Sequence, residues 1–154
     1  MKKLIWVVMA AIFSFGIVSC SSSDDDPTEQ VSKNKGIFKV VVTQTGELDK
    51  FVFSSSVNGG DAAKTGVFES GTSKDLGMAY QLTDAEACRN TYSYQTDKNG
   101  MLLMATVGVY AKDGYEDKKI TINMKLYLDN KMLGEKEETF SEGVIQINSH
   151  DYVN

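Results

Sequence analysis

The chain has 154 residues, of which 24% are charged and 42% are hydrophobic, and its formal net charge is −5. The excess of acidic over basic side chains argues against a nucleic-acid partner, which needs a basic surface. Two cysteines and a single histidine, His150, argue against a zinc site built from several histidine and cysteine ligands, and the sequence predicts no cofactor.

The first residues have the pattern of an export signal. Two lysines precede residues 4–18, fifteen residues without a charge. A helix of this length covers roughly 22 Å, which is short for a membrane span and typical of a signal-peptide core. Residues 17–20, Ile-Val-Ser-Cys, resemble the lipobox of bacterial lipoprotein signals. The resemblance implies cleavage between Ser19 and Cys20 and attachment of lipid to the Cys20 thiol. The alternatives are an ordinary secretory signal and an uncleaved anchor.

The segment after Cys20 is predicted to be a flexible acidic tether. Residues 20–34 are mostly polar, and 21–30 contain no large apolar side chain that could join a core. The run Asp24–Asp26 resembles the post-cysteine segment of Bacteroidota lipoproteins, which implies display on the cell surface. A spacer that faces the periplasm is the alternative. We therefore expect an outer-membrane protein, held by lipid on Cys20 and exposed on either the periplasmic face or the cell surface.

Residues 35–154 are predicted to form a single domain. Removal of residues 1–19 takes away two lysines and no acid, so the net charge of the remaining chain becomes −7. If Cys20 carries lipid, Cys88 has no intramolecular partner, and the fold must depend on its core rather than on a disulfide. We interpret Cys88 as a small, partly buried side chain, with a reactive thiol as the alternative.

Alternating apolar residues predict about eight β-strands and no long helix. Nine segments show strand character; in chain order they are 37–44, 51–57, 66–70, 78–82, 91–96, 101–111, 120–128, 132–140 and 144–147. Asn58–Asp61 is predicted to end the second strand, and Asp97–Gly100 is predicted to be a hairpin turn. Thr83–Cys88 reads as one helical turn, capped by Thr83 and Glu86. The charged run 135–138 suits an edge strand.

This spacing of short strands indicates an all-β domain. We predict a single antiparallel β-sandwich of the immunoglobulin-like kind, with a small closed β-barrel as the alternative.

Two sets of residues are candidate sites. Asp113, Glu116 and Asp117 cluster in a loop whose oxygens could bind calcium. A solvated acidic turn is the alternative. Tyr127, which alternates with the apolar residues of 120–128, and Tyr115 are the candidate ligand-binding aromatics, because a flat tyrosine ring can stack on a sugar. Cross-strand packing is the alternative for Tyr127.

These observations favour a non-enzymatic envelope lipoprotein, a binding or accessory module for an envelope protein or a glycan, attached to the membrane through Cys20. One alternative is a small hydrolase that uses paired carboxylates. Another is a structural subunit of a surface assembly, joined by strand addition at an open edge.

Overall fold

A computed structural model describes residues 35–61, 63–140 and 144–148. The predicted leader, lipobox and tether, and His150, lie outside the described residues. The described residues include two short helices, a 3₁₀ turn at Leu48–Lys50 and the α-helix α1 at Asp84–Ala87. The strands are β1 (Phe38–Gly46), β2 (Phe51–Gly60), β3 (Phe68–Glu69), β4 (Ala79–Gln81), β5 (Thr91–Gln95), β6 (Leu102–Ala111), β7 (Ile120–Leu128), β8 (Lys131–Phe140) and β9 (Val144–Asn148).

The strands form two antiparallel sheets. The five-stranded sheet has the order β3-β5-β1-β7-β8, and the four-stranded sheet has the order β4-β2-β6-β9. Their facing side chains make one core, so the predicted antiparallel sandwich is confirmed and the closed barrel is not formed. Among the described strands, only the consecutive pair β7 and β8 lies in the same sheet. Every other connection between consecutive strands crosses from one sheet to the other.

Alternation along the strands explains the core. In β7, Ile120, Ile122, Met124 and Leu126 are buried, whereas the residues between them are half-buried on the outer side. The same period of two places Val40 and Val42 of β1 in the core. Buried residues from β2 and β6 come from the opposite sheet; they are Phe51, Phe53, Val57, Leu103, Ala105, Val107 and Val109. Period-two patterning therefore specifies which face of each strand is buried.

The predicted helical turn is confirmed as α1, with the predicted cap. The Glu86 amide donates to the Thr83 side chain at 3.4 Å, and the Glu86 carboxylate accepts from the Thr83 amide at 2.8 Å. This reciprocal capping box gives the Thr83 amide its acceptor and adds a second acceptor for the Glu86 amide, which also donates to the Thr83 carbonyl at 3.0 Å.

The second strand ends at Gly60, inside the predicted segment Asn58–Asp61, so that prediction is confirmed, although β2 runs beyond residue 57. A Cβ on Gly59 would lie 2.5 Å from the Leu102 carbonyl oxygen, so the absence of a side chain lets β6 approach at this point. The two glycines therefore extend the pairing with β6 instead of breaking it.

The prediction of a hairpin at Asp97–Gly100 is wrong. β5 lies in the five-stranded sheet and β6 in the four-stranded sheet, so this turn joins the two sheets. It is fixed by the Gly36 amide, which donates to the Gly100 carbonyl at 3.0 Å. Turn chemistry is local, and it does not determine whether the next strand pairs with the previous one.

The two ends of the sandwich are distinct. One end consists of residues 35–37, the turn residues 61, 63–65 and 97–101, and the β7–β8 turn at Asp129–Asn130, whose two residues have positive φ. We call it the tether end. The opposite end holds the 3₁₀ turn and the loop 112–119, and we call it the far end.

No helix in the described ranges is both long and apolar enough to span a bilayer.

Candidate functional site

The outward side of the four-stranded sheet carries no charged residue at its described positions. We call this surface the uncharged face; it consists of Val52, Ser54, Ser56, Asn58 and Gly60 from β2, Ala79 and Gln81 from β4, and Leu102, Met104, Thr106, Gly108 and Tyr110 from β6. At the β9 edge, the residues paired with Tyr110, Gly108 and Thr106 are Val144, Gln146 and Asn148, which are also uncharged.

The outward side of the five-stranded sheet is different. Lys125 and Glu135 form an ion pair at 3.3 Å, and the Asn123 amide donates to Glu135 at 2.7 Å and to Glu137 at 3.2 Å. Hydrogen bonds from Asn123 and Lys125 lower the pKa of Glu135. These charged groups are partly exposed and bonded to one another, so a ligand would have to displace these bonds and desolvate the charges. The uncharged face requires no ionic desolvation, which makes it the better binding surface.

The uncharged face has small polar residues at its centre and larger side chains at its ends. Ser54 pairs with Gly108, and Ser56 pairs with Thr106. Tyr110 lies toward the far end and is 45% exposed, whereas Leu102 lies toward the tether end. The arrangement offers hydroxyl groups for hydrogen bonds beside an exposed aromatic ring, so it suits a flat, neutral and polar ligand.

The two tyrosines singled out in the sequence lie elsewhere. Tyr115 is exposed in the far-end loop, and the Lys50 ammonium lies 4.8 Å from its ring centroid, within cation–π range. Tyr127 is half-buried on the five-stranded sheet, where it pairs with Lys39 and Met132. The stretch of β7 from Ile120 to Tyr127 is roughly 23 Å long, so the two rings do not form one site. Sequence reasoning did not single out Tyr110 for this role.

The predicted calcium residues are all exposed. The Glu116 carboxylate accepts from the Gly114 amide at 3.0 Å, and hydrogen bonds from the backbone amides of Glu116 and Gly114 lower the pKa of this carboxyl. In the described part of the chain, no group of three or more His, Cys, Asp or Glu side chains is arranged to hold a metal ion. Asp113, Glu116 and Asp117 therefore share a loop without forming a three-carboxylate cluster.

A polar cluster that the sequence did not reveal closes the side of the sandwich between β3 and β4. The Tyr80 hydroxyl donates to the Glu86 carboxylate at 2.8 Å, and Arg89 pairs with Glu69 at 2.6 Å. The Thr83 amide hydrogen bond is the main cause that lowers the pKa of Glu86. A carboxyl group held ionised in this way is a poor proton donor near neutral pH. The cluster therefore suits closure of the edge better than acid catalysis.

Two tyrosines lie behind this cluster, in the core. The hydroxyls of Tyr92 and Tyr94 have no hydrogen-bond partner among the described residues. Burial raises the pKa of Tyr92 to about 12, although the nearby Ser55 hydroxyl opposes the shift, and burial also raises the pKa of Tyr94. Both phenols stay neutral at physiological pH and act as packing groups.

Cys88 is half-buried, as expected for a small core-edge residue. Its thiol lies 3.6 Å from the Leu48 carbonyl oxygen. It lines a shallow pocket beside β2 together with Asp84 and Lys112.

Comparison with known proteins gives structural relatives alone. No family model and no curated protein matches the sequence. The fold is similar to the crystal structure of a DUF4425 family protein from Bacteroides ovatus, with a TM-score of 0.64 and 21% identity over 74% of this chain and 95% of that one.

Two further solved structures share the fold. A domain of unknown function, DUF4425, from Bacteroides vulgatus gives a TM-score of 0.60 at 20% identity, covering 75% of this chain and 96% of that one. The calcium-bound form of a protein from Parabacteroides distasonis, solved by NMR, gives 0.58 at 17% identity, covering 75% and 92%. At these identities the likeness establishes the β-sandwich.

Proposed function

We propose that the chain is an envelope lipoprotein, anchored by lipid on Cys20, whose β-sandwich binds a neutral glycan through the uncharged face. Support for the anchor comes from the lipobox-like run 17–20 and from the acidic segment that follows it. The similar structures come from Bacteroides and Parabacteroides, and the acidic segment resembles lipoproteins of that bacterial group.

The absence of charge on the uncharged face is the observation that carries the binding proposal. The mature chain has a net charge of −7, yet the described positions of the uncharged face carry only hydroxyl, amide and apolar groups. A neutral saccharide offers hydroxyls for Ser54, Ser56 and Asn58, and C–H faces for the exposed Tyr110 ring. A charged ligand would find no counterion on this surface, so the chemistry favours a neutral one.

A lysine at the centre of the uncharged face is expected to abolish binding. In Ser54→Lys, an ammonium group would occupy an exposed position that pairs with Gly108, and the ligand would have to desolvate it. We expect affinity for a neutral glycan, identified on an array with the Cys20→Ser mature chain, to fall at least about tenfold.

The matched control is Ser93→Lys, which adds the same charge to a serine on the outward side of the five-stranded sheet. This variant should keep the parent affinity. Equal losses in the two variants, or capture of anionic glycans alone, would contradict the proposal. Capture of an envelope protein in place of a glycan would contradict the assigned ligand class.

Calcium is a second candidate ligand, proposed for the loop that holds Asp113, Glu116 and Asp117. Its support is the similar Parabacteroides distasonis protein, whose structure was solved in a calcium-bound form. Loop carbonyl oxygens would have to complete the coordination, because no three-carboxylate cluster is present among the described residues. We therefore expect millimolar affinity, as in weak extracellular calcium modules.

Thermal unfolding with added calcium tests this proposal. At roughly tenfold excess over the dissociation constant, binding should add about 1.4 kcal/mol of stability and raise Tm by several degrees. Asp113→Asn with Asp117→Asn should remove the shift, and magnesium should not reproduce it. A Tm that is independent of calcium would exclude the site.

A further inference from the structure

The large apolar side chains exposed to solvent are concentrated at the tether end. Among the described residues, eight such side chains are exposed by 36–51%. Six of them lie at or next to this end: Ile37, Met78, Met101, Leu102, Met132 and Leu133. The other two, Tyr110 and Tyr115, lie toward the far end.

Hydrogen bonds and strand register place these residues together at one end. The Met101 amide donates to the Gly60 carbonyl at 2.9 Å, and the Gly59 amide donates to the Met78 carbonyl at 2.9 Å. The Ile37 amide donates to the Asp129 carboxylate at 2.9 Å in the β7–β8 turn. Met132 and Leu133 are the second and third residues of β8, directly after that turn. The apolar groups therefore surround the end from which the tether would emerge.

The charge of this end also differs from that of the whole chain. Three lysines, Lys35, Lys64 and Lys98, lie in its segments, and Lys131 follows directly as the first residue of β8; none of the four forms an ion pair with a described residue.

The same turns contain three aspartates, and the carboxylate of each accepts a hydrogen bond from a backbone amide. Asp61 accepts from Thr65 at 2.8 Å, and Asp97 accepts from Asn99 at 2.7 Å. Asp129 accepts from Ile37. An end with more lysines than acids is unexpected in a mature chain of net charge −7, and its lysines are available to an anionic partner.

The length of the tether limits what can meet this end. Residues 20–34 form a chain of fifteen residues. Fifteen residues span at most about 50 Å when fully extended. Lipid on Cys20 would thus keep the tether end close to the bilayer, where even a weak attraction is strengthened by the high local concentration.

We propose that the tether end is a membrane-docking surface whose partner is the headgroup region of the lipid bilayer. The exposed apolar side chains enter the interface, and the lysines bind lipid phosphates. The inference rests on the proposed anchor at Cys20. Docking through this end orients the sandwich with β6 pointing away from the membrane. Tyr110 then lies roughly 26 Å farther from the bilayer than Leu102. The uncharged face is then presented sideways to the outside.

The mature chain allows a clean test because it contains no tryptophan; the one tryptophan of the sequence is Trp6. Leu102→Trp and Tyr110→Trp place a single reporter at opposite ends of the same strand, on the same outward side. The chain from Cys20, in a Cys88→Ala background, is coupled through the Cys20 thiol to a maleimide lipid. The vesicles contain phosphatidylethanolamine and phosphatidylglycerol.

We expect the emission of Leu102→Trp to shift to the blue and to be quenched by lipids with brominated acyl chains. The emission of Tyr110→Trp should be unchanged. Lys98→Gln and Lys131→Gln should each weaken the vesicle binding of the uncoupled chain about fivefold. Absence of quenching at Leu102→Trp, or equal quenching at both positions, would overturn the docking surface. Circular dichroism of each variant confirms that the β-fold is kept.

Chemical coupling of Cys20 to a lipid allows the docking surface to be tested independently of the proposed natural anchor. Incorporation of labelled palmitate in cells, lost in Cys20→Ser, tests the anchor without reference to docking. Palmitate incorporation without quenching on the coupled vesicles would overturn docking and leave the anchor standing. Quenching without palmitate incorporation would overturn the natural anchor and the biological setting of docking with it.

Discussion

Replacement of Cys20 by serine is expected to remove the chain from the membrane fraction completely. The resemblance to a lipobox implies that the Cys20 thiol accepts lipid, and a hydroxyl at this position would not replace it. Each buried methylene contributes about 0.8 kcal/mol, so two or three long acyl chains hold a protein durably, whereas the docking surface alone gives reversible contact. The effect should therefore be close to all-or-none.

The measurement is palmitate labelling followed by membrane fractionation. Cys88→Ser is the matched control, because Cys88 lies in the folded domain with its thiol near the Leu48 carbonyl. This variant should keep the label and the membrane association. A Cys20→Ser chain that is still labelled, or still extracted by detergent alone, would contradict the assigned anchor.

Phe140→Ala is expected to have the largest effect on stability. Phe140 is 1% exposed, and its ring meets Phe51 of the opposite sheet edge-to-face, with centroids 5.8 Å apart at 74°. Truncation would leave a cavity between the sheets, which costs about 3–5 kcal/mol for a buried phenylalanine. In a domain of this size, that corresponds to a fall in Tm of roughly 15–25 °C.

Denaturant unfolding of the mature chain measures this loss, with Tyr110→Ala as the control. Tyr110 is an aromatic side chain that remains 45% exposed, so its truncation should cost less than about 1 kcal/mol. If Phe140→Ala lowered the free energy of unfolding by as little as Tyr110→Ala does, the two sheets would not be packed through this contact.

The fold could be predicted because one side of each sheet is buried. In residues 120–128, alternation of Ile120, Ile122, Met124 and Leu126 with polar residues specifies both a strand and its buried face. The capping box at Thr83 and Glu86 is equally local, and it was predicted correctly. Features encoded within a few residues can be read from one sequence.

The strand pairing could not be predicted in the same way. Asp97–Gly100 has the composition of a hairpin turn, yet it joins the two sheets, because β5 pairs with β1 and β6 pairs with β2. These pairings depend on contacts between segments far apart in the sequence. Gly59 likewise has the composition of a strand end, although its small size permits the close approach of β6.

The candidate site was missed for a related reason. Residues 51–60 and 102–111 contain no charged residue, which is visible in the sequence. Their apolar content indicated burial, and only the register shows that the two strands are neighbours whose outward residues form one surface. Tyr127 has the alternation of an outward residue, but its pairing with Lys39 and Met132 leaves it half-buried.

The most direct test of this account is the mass of the N-terminal peptide of the protein isolated from its native membrane. We predict a peptide that begins at Cys20 and carries the added mass of a diacylglyceryl group with its acyl chains. A principal species that retains residues 1–19, or one that begins at Cys20 without added lipid, would contradict the claim that the sandwich is a lipid-anchored envelope module.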